Sequence, residues 1–180
     1  MLAAVMESLL SPLCNPGRIS YVLLEPGMSI GDYFPPEDIA FPVDLEARGD
    51  TGKVLPADLC AGAMYVLCYQ PLHPNSRDFK ELARAYVSAH DPQLPAALLR
   101  SARQAEEEGD WVGTIGRIWS VVQLDLMMPL ALEELARTAY LFAWGLNGRG
   151  ARALSVQLMR ASAGALNQLM NRFPESGPGH

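Results

Sequence analysis

The chain has few charged residues. Only 19% of its 180 residues are Asp, Glu, Lys or Arg, whereas 49% are hydrophobic. This composition excludes an intrinsically disordered chain and favours a well-filled core, because disordered chains are poor in apolar residues. Acidic residues outnumber basic ones, and the formal net charge is −6. A broad basic surface for DNA or RNA is therefore absent, and we expect no nucleic-acid partner.

Cysteines and long apolar runs are also scarce. The three cysteines are Cys14, Cys60 and Cys68. An odd number without dense spacing does not predict a disulfide framework, so we expect reduced core cysteines in a cytoplasmic protein. No run approaches the roughly 20 apolar residues that a membrane span needs, and we expect no membrane partner. Met1–Leu10 lacks the basic start of a signal peptide and is predicted to form a short helix that Pro12 stops.

Sequence patterns typical of catalysis or metal binding are missing. No two histidines lie four residues apart, and Cys-x-x-Cys does not occur. The chain also has no Gly-x-x-x-x-Gly-Lys loop, no Gly-x-Gly-x-x-Gly after a strand and no Gly-x-Ser-x-Gly turn. We therefore predict no catalytic residues, no metal and no cofactor, and a protein that is not an enzyme.

The segment from residue 11 to residue 56 is punctuated by seven prolines and five glycines, which forbid a long helix. Two short runs in it, Ile19–Leu24 and Ile39–Leu45, are rich in β-branched and aromatic residues and could be strands. Pro42 restricts the second run to the edge of a sheet or to an extended arm. We predict an N-terminal domain, residues 1–56, whose helix and extended segment, with a possible β-hairpin, pack on the helices that follow.

Helical periodicity dominates residues 57–173. The predicted helices are Ala57–Tyr69, Arg77–Ala89, Pro95–Glu108, Trp111–Leu124, Pro129–Trp144 and Ala151–Phe173. Prolines precede or begin several of them, and Asp110 can cap the fourth, as helix starts prefer. We therefore predict a mainly α fold, with a disordered tail over residues 174–180.

Two stretches within this helical region repeat each other at a distance of 34 residues. Asp91–Ala105 and Asp125–Ala139 are identical at seven of fifteen positions. The identical pairs are Asp91/Asp125, Pro95/Pro129, Ala97/Ala131, Leu98/Leu132, Ala102/Ala136, Arg103/Arg137 and Ala105/Ala139. A fixed period of this length is typical of stacked helix–turn–helix units.

The repeat resembles the tetratricopeptide (TPR) family over about Pro95–Phe173. Ala102 stands at the eighth position of the unit, which the family fills with a small residue. Gly109-Asp110-Trp111 stands on the turn that the family writes as Gly-Asp-Tyr. The resemblance implies stacked antiparallel helix hairpins, about three pairs in all. Because such arrays usually need three units, the Ala57–Ala89 hairpin would supply the missing pair.

The resemblance also implies a function and a surface. It implies a non-catalytic protein–protein interaction module, an adaptor or chaperone-like protein, which binds a peptide or partner protein in a groove lined by the first helix of each pair. The implied partner-binding residues are Arg100, Arg103, Glu133, Glu134, Arg137 and Tyr140, beside Leu99, Glu106 and Glu107. Guanidinium groups at the repeated positions suit peptide carboxylates. Alternatively, Arg103 pairs with Glu107, and Arg137 with Glu133 or Glu134, on their own helices.

Two other interpretations remain open. Ala151–Phe173 is charged only at three arginines, so one of its faces could bind a partner helix or a second copy of the chain in a homodimer, or could be buried by the N-terminal segment. The chain could also be an enzyme or small-ligand-binding domain with a pocket between the helices and the N-terminal segment. That pocket would use Asp32, Glu37, His73 or His90.

Overall fold

The computed structural model describes residues 2–27, 38–48, 53–69 and 76–174. Its main elements in chain order are helix α1 (Leu2–Leu10), strands β1 (Ile19–Leu24) and β2 (Ile39–Asp44), and helices α2 (Pro56–Tyr69), α3 (Ser76–His90), α4 (Leu94–Glu107), α5 (Trp111–Gln123), α6 (Met128–Asn147) and α7 (Arg152–Arg172). The predicted mainly helical fold with a short β-hairpin is confirmed at this level.

The chain forms two compact units. The helical unit comprises Met1–Pro12 and Pro95–His180, and the hairpin unit comprises Leu13–Leu94. The helical unit therefore joins α1 to α4, α5, α6 and α7. The predicted domain boundary at residue 56 falls within the hairpin unit.

The hairpin unit is built on a close approach between a strand and a helix. β1 and β2 are antiparallel, with Ile19 opposite Asp44 and Leu24 opposite Ile39. β2 packs against α2, and its Phe41 is fully buried. The approach requires a glycine, because a Cβ atom at Gly62 of α2 would lie 2.3 Å from the carbonyl oxygen of Pro42.

In the helical unit, α6 and α7 pack side by side in opposite directions. The Ser155 hydroxyl donates to the carbonyl of Ala143 (2.8 Å), and the Ser162 hydroxyl donates to that of Ala136 (2.7 Å). Each of these buried hydroxyls thus satisfies its hydrogen bond on the neighbouring helix. α1 packs across α7, where Gly164 leaves room for the side chain of Leu2.

The repeat predicted from the sequence has matching helix starts, but its turns differ. α4 begins at Leu94 and α6 at Met128, which are 34 residues apart. Asp110 caps α5 as predicted, since its carboxylate accepts from the Gly113 N–H at 2.9 Å. Before α6, however, Asp125 has a left-handed backbone (φ 57°), whereas its counterpart Asp91 has a negative φ. TPR-like stacking of three pairs stays a prediction.

Candidate binding groove

Two of the predicted site arginines belong to an ion-pair network between α4 and α6. Arg103 of α4 pairs with Glu134 of α6. Arg137 of α6 donates to both carboxylate oxygens of Glu106 on α4, at 2.8 and 2.7 Å, and to Glu134 at 2.9 Å. The expected pairing of Arg137 with Glu134 is present, whereas Arg103 bridges to the other helix and not to Glu107.

The network shifts the pKa values of its members. Burial by itself would raise the pKa of Glu134, but hydrogen bonds from Arg137 and Arg103 outweigh it and hold that pKa below its usual value. Hydrogen bonding to Glu106 raises the pKa of Arg137 in turn. Both guanidinium groups are therefore engaged with carboxylates of the chain itself, and a peptide carboxylate would have to compete with these carboxylates.

A concave, mostly apolar groove lies beside this network, between α6 and α7. Its volume is about 430 Å³. The residues that line it are Glu133, Ala136, Arg137, Tyr140, Leu141, Ser162, Leu166 and Leu169. On each helix they recur at intervals of three and four residues, so they form one stripe per helix. Antiparallel packing of α6 and α7 places the two stripes next to each other.

Large apolar side chains extend the groove along both helices. Tyr140, Leu141 and Leu166 are each about half-exposed. Trp144, one turn beyond Tyr140 on α6, is 69% exposed, and Met170, one turn beyond Leu166 on α7, is 57% exposed. An exposed apolar surface of this kind is typical of a binding site for another molecule. We call this surface, the lining residues with Trp144 and Met170, the apolar groove.

The sequence-predicted site residues divide among three places. Glu133, Arg137 and Tyr140 line the apolar groove, whereas Arg103 and Glu134 belong to the ion-pair network beside it. Arg100 is exposed on α4, in none of the ion pairs of the described residues. Leu99, expected on the groove surface, is buried instead, because it lies on the core side of α4.

The partner-binding residues predicted from the sequence include none of α7, although one face of Ala151–Phe173 is a predicted alternative surface for a partner helix. Leu166 and Leu169 of α7 line the groove, together with Leu141 of α6. Their three- and four-residue spacing is visible in the sequence, but the same spacing also describes a buried stripe. An apolar helix such as α7 has more than one apolar stripe, and only the packing of the neighbouring helices decides which stripe remains exposed.

The residues of the alternative enzyme site are placed only in part. Asp32, Glu37 and His73 lie outside the described residues. His90 is exposed at the end of α3, with its ring centroid 4.4 Å from that of Tyr86. Within residues 2–27, 38–48, 53–69 and 76–174, no group of three His, Cys, Asp or Glu side chains is arranged to hold a metal ion.

Comparison of the chain with known proteins does not assign it to a family. No protein-family model, curated protein or solved structure matches the chain. None of the helices in the described part of the chain is both long and apolar enough to cross a membrane.

Proposed function

We propose that this chain is a non-catalytic protein–protein interaction module, adaptor or chaperone-like, which holds a segment of a partner protein in the apolar groove. The observation that carries the proposal is the groove itself, with its half-exposed Tyr140, Leu141 and Leu166 beside the more exposed Trp144. Burying such side chains is favourable by about 25 cal/mol per Å² of apolar surface. Tyr and Trp are also enriched among the residues that contribute most to protein interfaces.

In this proposal the repeated arginines have a supporting role. Arg103 and Arg137 hold α4 against α6 through Glu106 and Glu134, and Arg137 also contributes its side chain to the wall of the groove. The partner's main contacts are then with the apolar stripes of α6 and α7.

Selection from a displayed random-peptide library, followed by binding measurements on the purified chain, tests the proposal. Leu166→Asp places a charge in the apolar groove. It is expected to weaken the binding of the selected peptides by at least about tenfold, because burying an unpaired charge is unfavourable. Val156→Asp is the matched control, because Val156 is on the same helix, equally exposed (43% against 46%) and outside the groove lining.

Peptides that bind Leu166→Asp as well as the unchanged protein would contradict the proposed groove. A library that yields no binding peptide would contradict the proposed function. Circular dichroism of each variant confirms that the helical fold is retained.

A small apolar ligand is a second candidate occupant, favoured by the groove volume of about 430 Å³, which lies within the usual range of ligand pockets. Native mass spectrometry of the purified chain tests this function. A co-purified small molecule that is absent from Leu166→Asp but retained by Val156→Asp would support it, and an unliganded mass in every preparation would count against it.

A further inference from the structure

The acidic residues that α6 contributes in and beside the apolar groove, Glu133 and Glu134, lie near its start, whereas the rest of α6 and all of α7 carry arginines as their only charged residues. Residues 135–174 contain five arginines and no acidic residue, although the net charge of the chain is −6. The five are Arg137, Arg149, Arg152, Arg160 and Arg172. They belong to α6, the α6–α7 turn and α7.

Three of these arginines form no ion pair within the described residues. Arg149, Arg152 and Arg160 are exposed and take part in none of the ion pairs there, whereas Arg172 pairs with Asp125 at 3.5 Å. Arg149 and Arg152 flank the α6–α7 turn, at the same end of the groove as Trp144. An apolar anchor and two arginines without ion pairs thus lie at the same end of α6 and α7.

The helical unit itself contains an example of how such a surface is covered. α6 packs against α5 and reaches α4 through ion pairs, in which Glu134 of the covering helix meets Arg103 of the covered one. Arg137 repeats Arg103 at a distance of 34 residues and lies at the edge of the apolar groove. Because Arg137 is already paired with Glu106 and Glu134, a helix that covers α6 and α7 would present its carboxylates to Arg149 and Arg152.

We propose, building on the proposed function, that the occupant of the apolar groove is an amphipathic helix with an acidic polar face. Its apolar stripe packs on Leu141, Leu166 and Trp144, as helices recognised in grooves do through residues three and four apart. Its carboxylates face Arg149 and Arg152, which complement them in charge.

This charge distribution disfavours the homodimer expected through Ala151–Phe173. In a two-fold contact each residue of α7 would face α7 of the second copy. The charged residues of this helix are Arg152, Arg160 and Arg172, and the helix itself contains no acidic residue. Like charges brought together across an interface weaken it.

Two designed helical peptides of about 20 residues test the proposal, because shorter isolated helices are marginal in water. They share one apolar stripe of Leu and Phe, and their polar faces carry Glu in one and Lys in the other. Fluorescence anisotropy with the full chain is expected to show about tenfold tighter binding of the Glu peptide at low salt, with a smaller preference in 0.5 M NaCl.

Charge reversal assigns the preference to the two arginines. Arg149→Glu combined with Arg152→Glu is expected to remove the preference for the Glu peptide and to favour the Lys peptide. The control is Arg100→Glu combined with Arg160→Glu, which changes the net charge equally but away from the α6–α7 turn that carries Arg149 and Arg152. A control that removes the preference as fully as the groove variant would overturn the assignment.

The remaining outcomes separate the two proposals. Equal binding of both peptides, lost in Leu166→Asp, would overturn the acidic helix and leave the proposed function intact. Binding of neither peptide would overturn the helical occupant, while the library selection still tests the function.

The acidic helix would also be overturned by binding of the chain to phosphatidylserine-containing vesicles in place of both peptides. A dimer in light scattering that Leu166→Asp dissociates would overturn it in favour of a second copy.

Discussion

At the scale of single residues, Gly62 sets how closely α2 approaches β2. A Cβ atom at this position would lie 2.3 Å from the backbone oxygen of Pro42, and backbone cannot move aside as a flexible side chain can. We expect Gly62→Ala to lower the free energy of unfolding by about 1–3 kcal/mol, as overpacking does in well-packed interiors. Urea unfolding followed by circular dichroism measures the change.

Gly145 supplies the control for this substitution. It lies in α6, and a Cβ atom added there would meet no other side chain or neighbouring element within 4 Å, so Gly145→Ala encounters no obstacle. We expect it to leave stability unchanged or to raise it by about 0.4–1 kcal/mol, because alanine restricts the unfolded chain. A similar loss of stability in Gly62→Ala and Gly145→Ala would contradict the steric explanation.

Asp44 is a buried carboxylate of the hairpin unit, and its ion pair makes stability depend on pH. Arg18 donates to its two oxygens at 2.9 and 2.6 Å, and the Glu46 N–H donates at 3.0 Å. Burial by itself would raise the pKa of Asp44, but the hydrogen bonds from Arg18 and the Glu46 N–H, together with the charge of Arg18, leave it below its usual value.

The direction of that pKa shift determines the expected pH profile. A carboxyl whose pKa is lower in the folded state contributes stability above its unfolded pKa of about 3.9, and this contribution is lost as pH falls through the folded pKa. We expect Asp44→Asn to lower the free energy of unfolding by about 2 kcal/mol at pH 7, and by progressively less below pH about 4. Urea unfolding of both proteins at pH 7, 4 and 3 checks this, and a cost independent of pH would contradict it.

At the scale of elements, the ion pairs between α4 and α6 hold two helix faces in register. The Arg137–Glu106 pair is partly exposed, so we expect a modest coupling energy of about 0.5–1 kcal/mol at low salt, decreasing in 1 M NaCl. A double-mutant cycle of Arg137→Ala and Glu106→Ala measures it. Arg100→Ala, an exposed change on the same helix α4, is expected to have almost no effect.

Helix positions were largely predictable because their signals are local. The predicted strand Ile19–Leu24 has the bounds of β1, and α5 begins at Trp111 as predicted, behind its cap Asp110. Capping and proline effects act within one turn, so sequence alone reveals them. The left-handed backbone at Asp125 and Met127 was not predicted, because such conformations are unusual for residues other than glycine.

At the scale of the whole molecule, the helical unit depends on both ends of the chain. Met6 of α1 is fully buried there. We expect Met6→Ala to lower the stability of this unit by about 2–4 kcal/mol, since the cavity is not refilled. Hydrogen exchange should show lost protection at amides of α7 and α5, with little change in the hairpin unit.

Glu7→Ala is the control for this prediction, because Glu7 is exposed on the same helix. Equal loss of protection in both units would instead indicate that they unfold as one cooperative body. Unchanged protection of α7 would contradict the contribution of α1 to the helical unit.

The sequence by itself determined the helical character of the chain, the strand positions and the 34-residue repeat, since periodicity, proline and capping residues act over a few positions. Only the tertiary structure decided which apolar stripe stays exposed and which arginines are already paired. The Arg103–Glu134 ion pair joins two helices that are separated in the chain by α5. Leu166 lines the groove because α7 packs against α6. Such contacts depend on how whole helices pack against one another, and local spacing does not encode this.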